Sequence, residues 1–281
     1  MTPAQRKRRH QWVLDHWNML CTSVGVAFLS VVAYYLLHLE RTPVTGRFRF
    51  VTVTKAQHDR LCQFELNQQL LLHGKKLLEQ SDPRTKRVHE MAQRIISANG
   101  LLEPISQRKW RVFVVDDPTE SAMVVPTGDI FFFTGMLNAV QNSDQIGIVL
   151  AHEIAHTVLG HGQEQLSRLS STDWIIIFTF AVIWMFVPVD FLAALSSWLF
   201  HKSVEATLRL PYSRKLELEA DEVGLELAAR ACLDVRESYA FWMHMWARSK
   251  AGAAPSEPLD LVSTHPNHGD RAERLNGRMD K

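Results

Sequence analysis

A run of 21 residues without a single Asp, Glu, Lys or Arg, from Met19 to Leu39, constrains this chain more than any other feature. A bilayer core takes a helix of about 20 apolar residues, so the run is long enough to span one. The apolar region of a signal peptide is shorter, roughly 7–15 residues, and leads to a small-residue cleavage pattern that does not follow here. The expectation is a transmembrane helix over 19–39 behind a basic flank over 1–18. Trp12 and Trp17 stand at the depth of a membrane interface. Arg6, Lys7, Arg8 and Arg9 lie upstream, and Arg41, Arg47, Arg49 and Lys55 lie downstream. Four basic residues on each side leave the positive-inside rule undecided.

A second apolar block runs from Trp174 to Phe200, with one charge, Asp190, and one proline, Pro188. Pro188-Val189-Asp190 divides it into two pieces, each shorter than a crossing needs. Two readings stand: a buried pair of core helices, or a hairpin that dips into the membrane. Whole-chain averages hide both blocks, since a mean hydropathy of −0.10 looks soluble. The 31 Lys and Arg against 30 Asp and Glu give a net charge of +1 and no electrostatic reason to expect nucleic acid. Three scattered cysteines, Cys21, Cys62 and Cys232, exclude a disulfide framework and a cysteine-based zinc site.

Between and after the blocks the pattern is mainly α with a small β-sheet, an α+β domain over 55–281. Leu61, Phe64, Leu66, Leu70, Leu71, Leu77 and Leu78 carry helical spacing over 55–80. Ser81-Asp82-Pro83 starts a second helix that Gly100 ends. Strands are expected over 110–115, 122–125 and 129–134, the last two joined by Pro126-Thr127-Gly128. Helices are expected over 143–161, 213–231 and 234–249, with a linker over 251–258.

Residues His152-Glu153-Ile154-Ala155-His156 form H-E-x-x-H within a helical segment. Histidines at i and i+4 share a helix face and can bind one metal ion, and the glutamate between them can serve as general base. The preceding segment, Gln145 to Ala151, is too apolar for a surface helix. His161, five residues past His156, falls off that face and reads as a helix-end residue or one standing behind the ligands, rather than as a ligand itself. A catalytic zinc site needs a third protein ligand and an open position. Glu217 and Asp221 are i and i+4 on a later helix, so Glu217 can bind the metal while Asp221 accepts the free ring N–H of a ligating histidine. Glu219 is expected to point elsewhere, into solvent.

The strings His152 to His156, Ser213 to Asp221 and Ser263-Thr264-His265-Pro266, in that order, resemble the membrane zinc metallopeptidases that include HtpX, the CAAX prenyl proteases and the mitochondrial Oma proteases. Arg41-Thr42-Pro43-Val44-Thr45-Gly46-Arg47, Thr134-Gly135-Met136-Leu137 and Pro211-Tyr212-Ser213-Arg214-Lys215 look most like the Oma branch. The resemblance implies a zincin-like domain, with one Zn2+ per subunit on His152, His156 and Glu217. It implies Glu153 as general base, His265 as oxyanion stabiliser and Asp221 behind the ligands. Ser121 stands before Ala122 of the edge strand, where relatives often carry Asn. The strand 129–134 reads either as a substrate-binding strand, as in zincins, or as a core strand. By resemblance the chain is a membrane-anchored endopeptidase of the mitochondrial inner membrane, its catalytic domain facing the intermembrane space. It would cleave membrane-associated proteins, including a dynamin-like fusion GTPase and itself under stress. Protein substrates and the lipid bilayer are the expected partners, with self-association left open. The alternatives are an HtpX-like quality-control protease of another membrane, or an inactive homologue acting as a membrane scaffold.

These ligands impose a topology. His156 precedes the second apolar block and Glu217 follows it, yet both must reach one ion. The block therefore crosses an even number of times, re-enters, or lies in the interface. A membrane-dipping hairpin over 174–200 is the expectation.

Overall fold

The structure is a computed structural model, which describes residues 8, 11–12, 14–171, 198 and 210–250. The first apolar run forms helix α1 (Trp17–Leu37), which has no capping side chain and whose apolar window is unburied among the described residues, with Tyr34 and Tyr35 at its end against Phe50. By length and composition it is able to cross a membrane. The block at 174–200 lies outside the described residues apart from Trp198, as do the linker over 251–258 and His265.

Immediately after α1 the chain folds into a hairpin of β1 (Leu39–Arg41) and β2 (Phe48–Phe50), which sequence periodicity did not reveal. Its loop explains the Arg-Thr-Pro-Val-Thr-Gly-Arg string. Thr42 N–H donates to Arg47 O at 2.9 Å, and the Thr42 hydroxyl accepts from Arg47 N–H at 2.9 Å. Gly46 takes φ +66°, a left-handed conformation that costs glycine little. Helix α2 (Lys55–His73) then starts at a capping box between Thr54 and Gln57. It stops short of the Gln80 expected from leucine spacing. A 3-10 turn (Gly74–Lys76) intervenes, and Leu77 peels away to bridge Val115 of the sheet.

Helix α3 (Pro83–Ala98) is capped by Asp82, with Pro83 in its first turn, and short α4 (Glu103–Ser106) follows. Strands β3 (Arg111–Val115), β4 (Ala122–Val125) and β5 (Asp129–Phe133) form one sheet in the order β3-β5-β4. β5 is parallel to β3 and antiparallel to β4. Pro126-Thr127-Gly128 makes the β4–β5 turn with Gly128 at φ +100°.

The run Phe131-Phe132-Phe133 is resolved by alternation across this sheet. Val114, Ile130 and Phe132 face a core completed by α3 and the metal-site helices. Phe131 and Phe133 face a second cluster with Cys62 and Leu66 of α2. β5 is thus a core strand with a neighbour on each side, and the reading of it as a substrate-binding strand is corrected: the strand edge beside the site belongs to β4.

After α5 (Thr134–Ala139), Asn142 caps α6 (Ser143–Leu159) through its side-chain oxygen, and Gly160 at φ +70° ends it. Residues 161–171 are again helical (α7). α6 is buried on nearly every side. Helix α8 (Leu210–Arg230) lays Leu216, Ala220, Val223 and Leu227 against it, and α9 (Arg236–Lys250) closes the core with Phe241, Trp242 and Met245.

Candidate active site and metal centre

His152 and His156 lie one turn apart on α6, and their Nε2 atoms face each other at 3.1 Å. Glu217 reaches the same point from α8, with carboxylate oxygens 3.5 Å from His152 Nε2 and 3.5 Å from His156 Nε2. Donors bound at about 2.0–2.2 Å around a tetrahedral ion lie about 3.3–3.5 Å from one another. The three residues offer one donor each, all within 4.8 Å of one another, and so fit a single metal ion. Glu217 lies 61 positions after His156 in the sequence, and the crossing of α8 over α6 brings it there.

That crossing depends on Gly224. A Cβ at this position would stand 3.0 Å from His152 Cα and 3.1 Å from His152 N. Backbone therefore meets backbone where α6 and α8 touch, which leaves Asp221 and Glu217, about one and two turns away, in reach of the histidines.

Each histidine is oriented from behind. His152 Nδ1 is 3.1 Å from Asp221 Oδ1, which places the ring proton on Nδ1 and turns the Nε2 lone pair toward the donor triangle. Trp242 stands edge-on to the same ring at 5.6 Å. His156 Nδ1 is 2.8 Å from His161 Nδ1, and His161 Nε2 is 3.3 Å from Glu219 Oε2. Glu153 follows His152 directly and is buried, 6% exposed.

Two sequence readings change here. Glu219 does not point into solvent: it accepts from Arg47 Nε at 2.8 Å, from His161 and from the Thr45 hydroxyl. Burial alone would raise its pKa, but these hydrogen bonds outweigh burial and hold it down at about 2. Arg47 and Arg49 are not free flanking charges of the apolar helix. Arg47 pairs with Glu164 and Glu219, and Arg49 is 7% exposed and donates to Leu159 O and Gly160 O at the end of α6. His161, just past the end of α6, stands against His156, one of the candidate ligand histidines. Apart from His161 and His156, these partners lie far apart in sequence, so no local pattern signals them.

The edge of β4 runs alongside. Phe133 N–H donates to Ser121 O, so residues 121, 123 and 125 turn their main-chain groups toward β5. Ala122 and Val124 turn theirs outward, where the Thr157 hydroxyl of α6 already donates to Val124 O at 3.2 Å. A cleft of about 1150 Å³ opens at the end of β4. Arg49 and Thr54 wall it on the hairpin side, and His156 and Thr157 on the α6 side.

A metal-binding H-E-x-x-H helix, a carboxylate from a second helix and an available strand edge define a metallopeptidase of the zincin type. The chain belongs to peptidase family M48, whose model matches residues 82–279. It is 38% identical to the mitochondrial metalloendopeptidase OMA1 of Danio rerio, over 97% of this chain and 57% of that protein. The Homo sapiens protein of the same name is 38% identical over 95% of this chain and 50% of its own length. The Schizosaccharomyces pombe mitochondrial metalloendopeptidase OMA1 is 32% identical, over 97% of this chain and 73% of its own. The chain thus spans about half the length of the vertebrate relatives it matches.

Proposed function

We propose that this chain is a membrane-anchored zinc metalloendopeptidase that cleaves proteins lying in or against the membrane. The observation that carries the reading is the donor triangle of His152, His156 and Glu217, in which the two Nε2 atoms lie 3.1 Å apart and each is 3.5 Å from one of the two Glu217 carboxylate oxygens. Zinc held there would supply Lewis-acid activation of water and of the scissile carbonyl. Glu153 takes the proton from the attacking water and returns it to the leaving amine. An extended substrate segment pairs with the outward main-chain groups of Ala122 and Val124, which fixes the scissile bond in front of the triangle. His265, matched to the family string Ser263-Thr264-His265-Pro266, is the residue we assign to the oxyanion.

The cleft shares a wall with the hairpin that leaves α1, which supports substrates presented close to the bilayer. The hairpin also bears on orientation. With Arg47 and Arg49 occupied inside the domain, only Arg41 and Lys55 remain exposed downstream, against four basic residues upstream. That asymmetry favours the N-terminal flank on the positive-inside face and the peptidase domain on the other. With mitochondrial relatives across nearly the whole chain, we assign it to the mitochondrial inner membrane, peptidase domain toward the intermembrane space.

The decisive test is Glu153→Gln in the full-length protein. Processing of a membrane-anchored reporter should fall by at least about 100-fold while bound zinc stays stoichiometric. Undiminished cleavage would overturn the assignment. Cleavage lost together with zinc would reduce Glu153 to a structural role.

A further inference from the structure

Arg47 belongs to the hairpin that follows the apolar helix, ten residues after Leu37, yet its side chain ends beside the metal site. Its guanidinium forks onto Glu164, Nη1 to Oε1 at 2.8 Å and Nη2 to Oε2 at 2.7 Å. The same group donates through Nε to Glu219 Oε2 at 2.8 Å. Glu164 is fully buried and the Arg47 side chain is 16% exposed. One arginine therefore joins α7, α8 and the membrane-proximal hairpin.

With His161 in its neutral form, one hydrogen-bond polarity connects that arginine to the donor triangle. Glu219 is a carboxylate and can only accept, so His161 donates to it through Nε2–H. With the imidazole neutral, His161 Nδ1 is then an acceptor, and the 2.8 Å contact requires that His156 donate through Nδ1–H. His156 Nε2 is left with its lone pair turned to the triangle, the form a metal ligand needs. A ring flip or a tautomer change at His156 would break this chain, and Arg47 fixes the chain's far end by holding Glu219 in place. His152 has the shorter equivalent in Asp221, a single residue on α8. The two ligand histidines thus differ: one is oriented from within the helical core, the other from the segment tied to the membrane anchor.

We propose that Arg47 is a positioning residue for His156, acting through Glu219 and His161, so that docking of the juxtamembrane hairpin completes the metal site. This rests on the reading of His152, His156 and Glu217 as metal ligands. A displacement of the hairpin relative to the peptidase domain withdraws Arg47 from Glu219 and loosens His156 without touching the ligands themselves. The anchor then sets the readiness of the site as well as its location.

The experiment measures zinc release from full-length protein in detergent to a chromogenic chelator, beside kcat and KM on a peptide substrate. Loss of an outer partner of a metal-bound histidine weakens metal affinity by about 10–100-fold. Arg47→Ala should therefore speed zinc release by about tenfold or more and lower kcat with little change in KM. His161→Ala should do the same, and the double variant should be no worse than His161→Ala alone, because both act along one chain. Arg47→Lys, which cannot fork onto two carboxylates, should restore release only in part. Arg111→Ala removes an ion pair to the buried Asp129, remote from this chain, and should leave zinc release at the wild-type rate. If Arg47→Ala does not fold, the isosteric Glu219→Gln carries the same comparison. Wild-type release rates in a folded Arg47→Ala or Glu219→Gln protein overturn the proposal, as do additive effects in the double variant. A wild-type protein that holds no zinc overturns instead the ligand assignment beneath it.

Discussion

Nδ1 of His152 on α6 lies 3.1 Å from Oδ1 of Asp221 on α8. Both side chains are buried, so the carboxylate has little water to turn to and the imidazole has a fixed direction. The pairing fixes the tautomer of one ligand histidine and ties the helix that carries Glu217 to the helix that carries H-E-x-x-H. Removing it should be felt in metal affinity first. Asp221→Ala is expected to weaken zinc binding by about 10–100-fold, and Asp221→Asn, which keeps an acceptor oxygen, by less. Chelator competition on the purified protein reads this directly, and equal affinities for the three proteins would contradict it.

Gly224 sets the distance between those two helices. Because an added Cβ would meet His152 backbone at 3.0–3.1 Å, and backbone does not step aside as a flexible side chain would, α8 must move. Gly224→Ala is expected to cost about 1–3 kcal/mol of stability by overpacking, despite the better helix propensity of alanine. It should also lower zinc stoichiometry, since Glu217 moves with the helix. Thermal melting with and without added zinc, beside metal analysis, checks both parts. A stabilised variant with full zinc would show that the helices tolerate the separation.

The facing of β4 predicts opposite outcomes for two neighbouring prolines. Val124 N–H points away from β5, and proline is tolerated on an edge where no ladder bond is lost. Val124→Pro should leave the melting temperature nearly unchanged and raise KM for extended peptides by about tenfold, one main-chain hydrogen bond to substrate. Met123 N–H points into the ladder opposite Phe131, so Met123→Pro should destabilise the domain by about 3 kcal/mol or more. Melting curves and steady-state kinetics on the pair would reverse in order if the facing were the other way.

The Glu219 carboxyl is held at about 2 in the folded protein against 4.5 for an ordinary glutamate. A depressed carboxylate contributes stability that is fully present above the unfolded value and is lost as pH falls toward the folded one. Wild type should therefore exceed Glu219→Gln in stability by a constant margin above about pH 5, and the margin should shrink as pH falls from about 4.5 toward 2. Denaturant melts across that range measure it. A margin that grows on acidification has the wrong sign for this network.

What the sequence could reveal follows from the range of each interaction. His152, Glu153 and His156 sit within five residues, and Glu217 with Asp221 within another five, so helical spacing alone groups them. The cap at Asp82 is legible for the same reason. Arg47 and its carboxylates lie far apart along the chain, and charges that look like solvated flanks prove to be interior pairs. The Lys55 helix ended early because Leu77 has a better partner in Val115 than another helical turn could offer, a tertiary preference that leucine spacing does not encode. The triple phenylalanine of β5 was compatible with two roles until its neighbours on both sides were known.

The Arg47 pairing also determines where this protein can be cut. The family match begins at residue 82, which invites a soluble fragment starting there. Such a fragment would carry Glu164 and Glu219 into its interior without the guanidinium they share. A buried charge stripped of its partner typically costs 3–5 kcal/mol, a large part of a domain's whole stability. The unit that folds is therefore expected to reach back to the β1–β2 hairpin, and a truncated peptidase should begin at Leu39 rather than at the first helix of the family match.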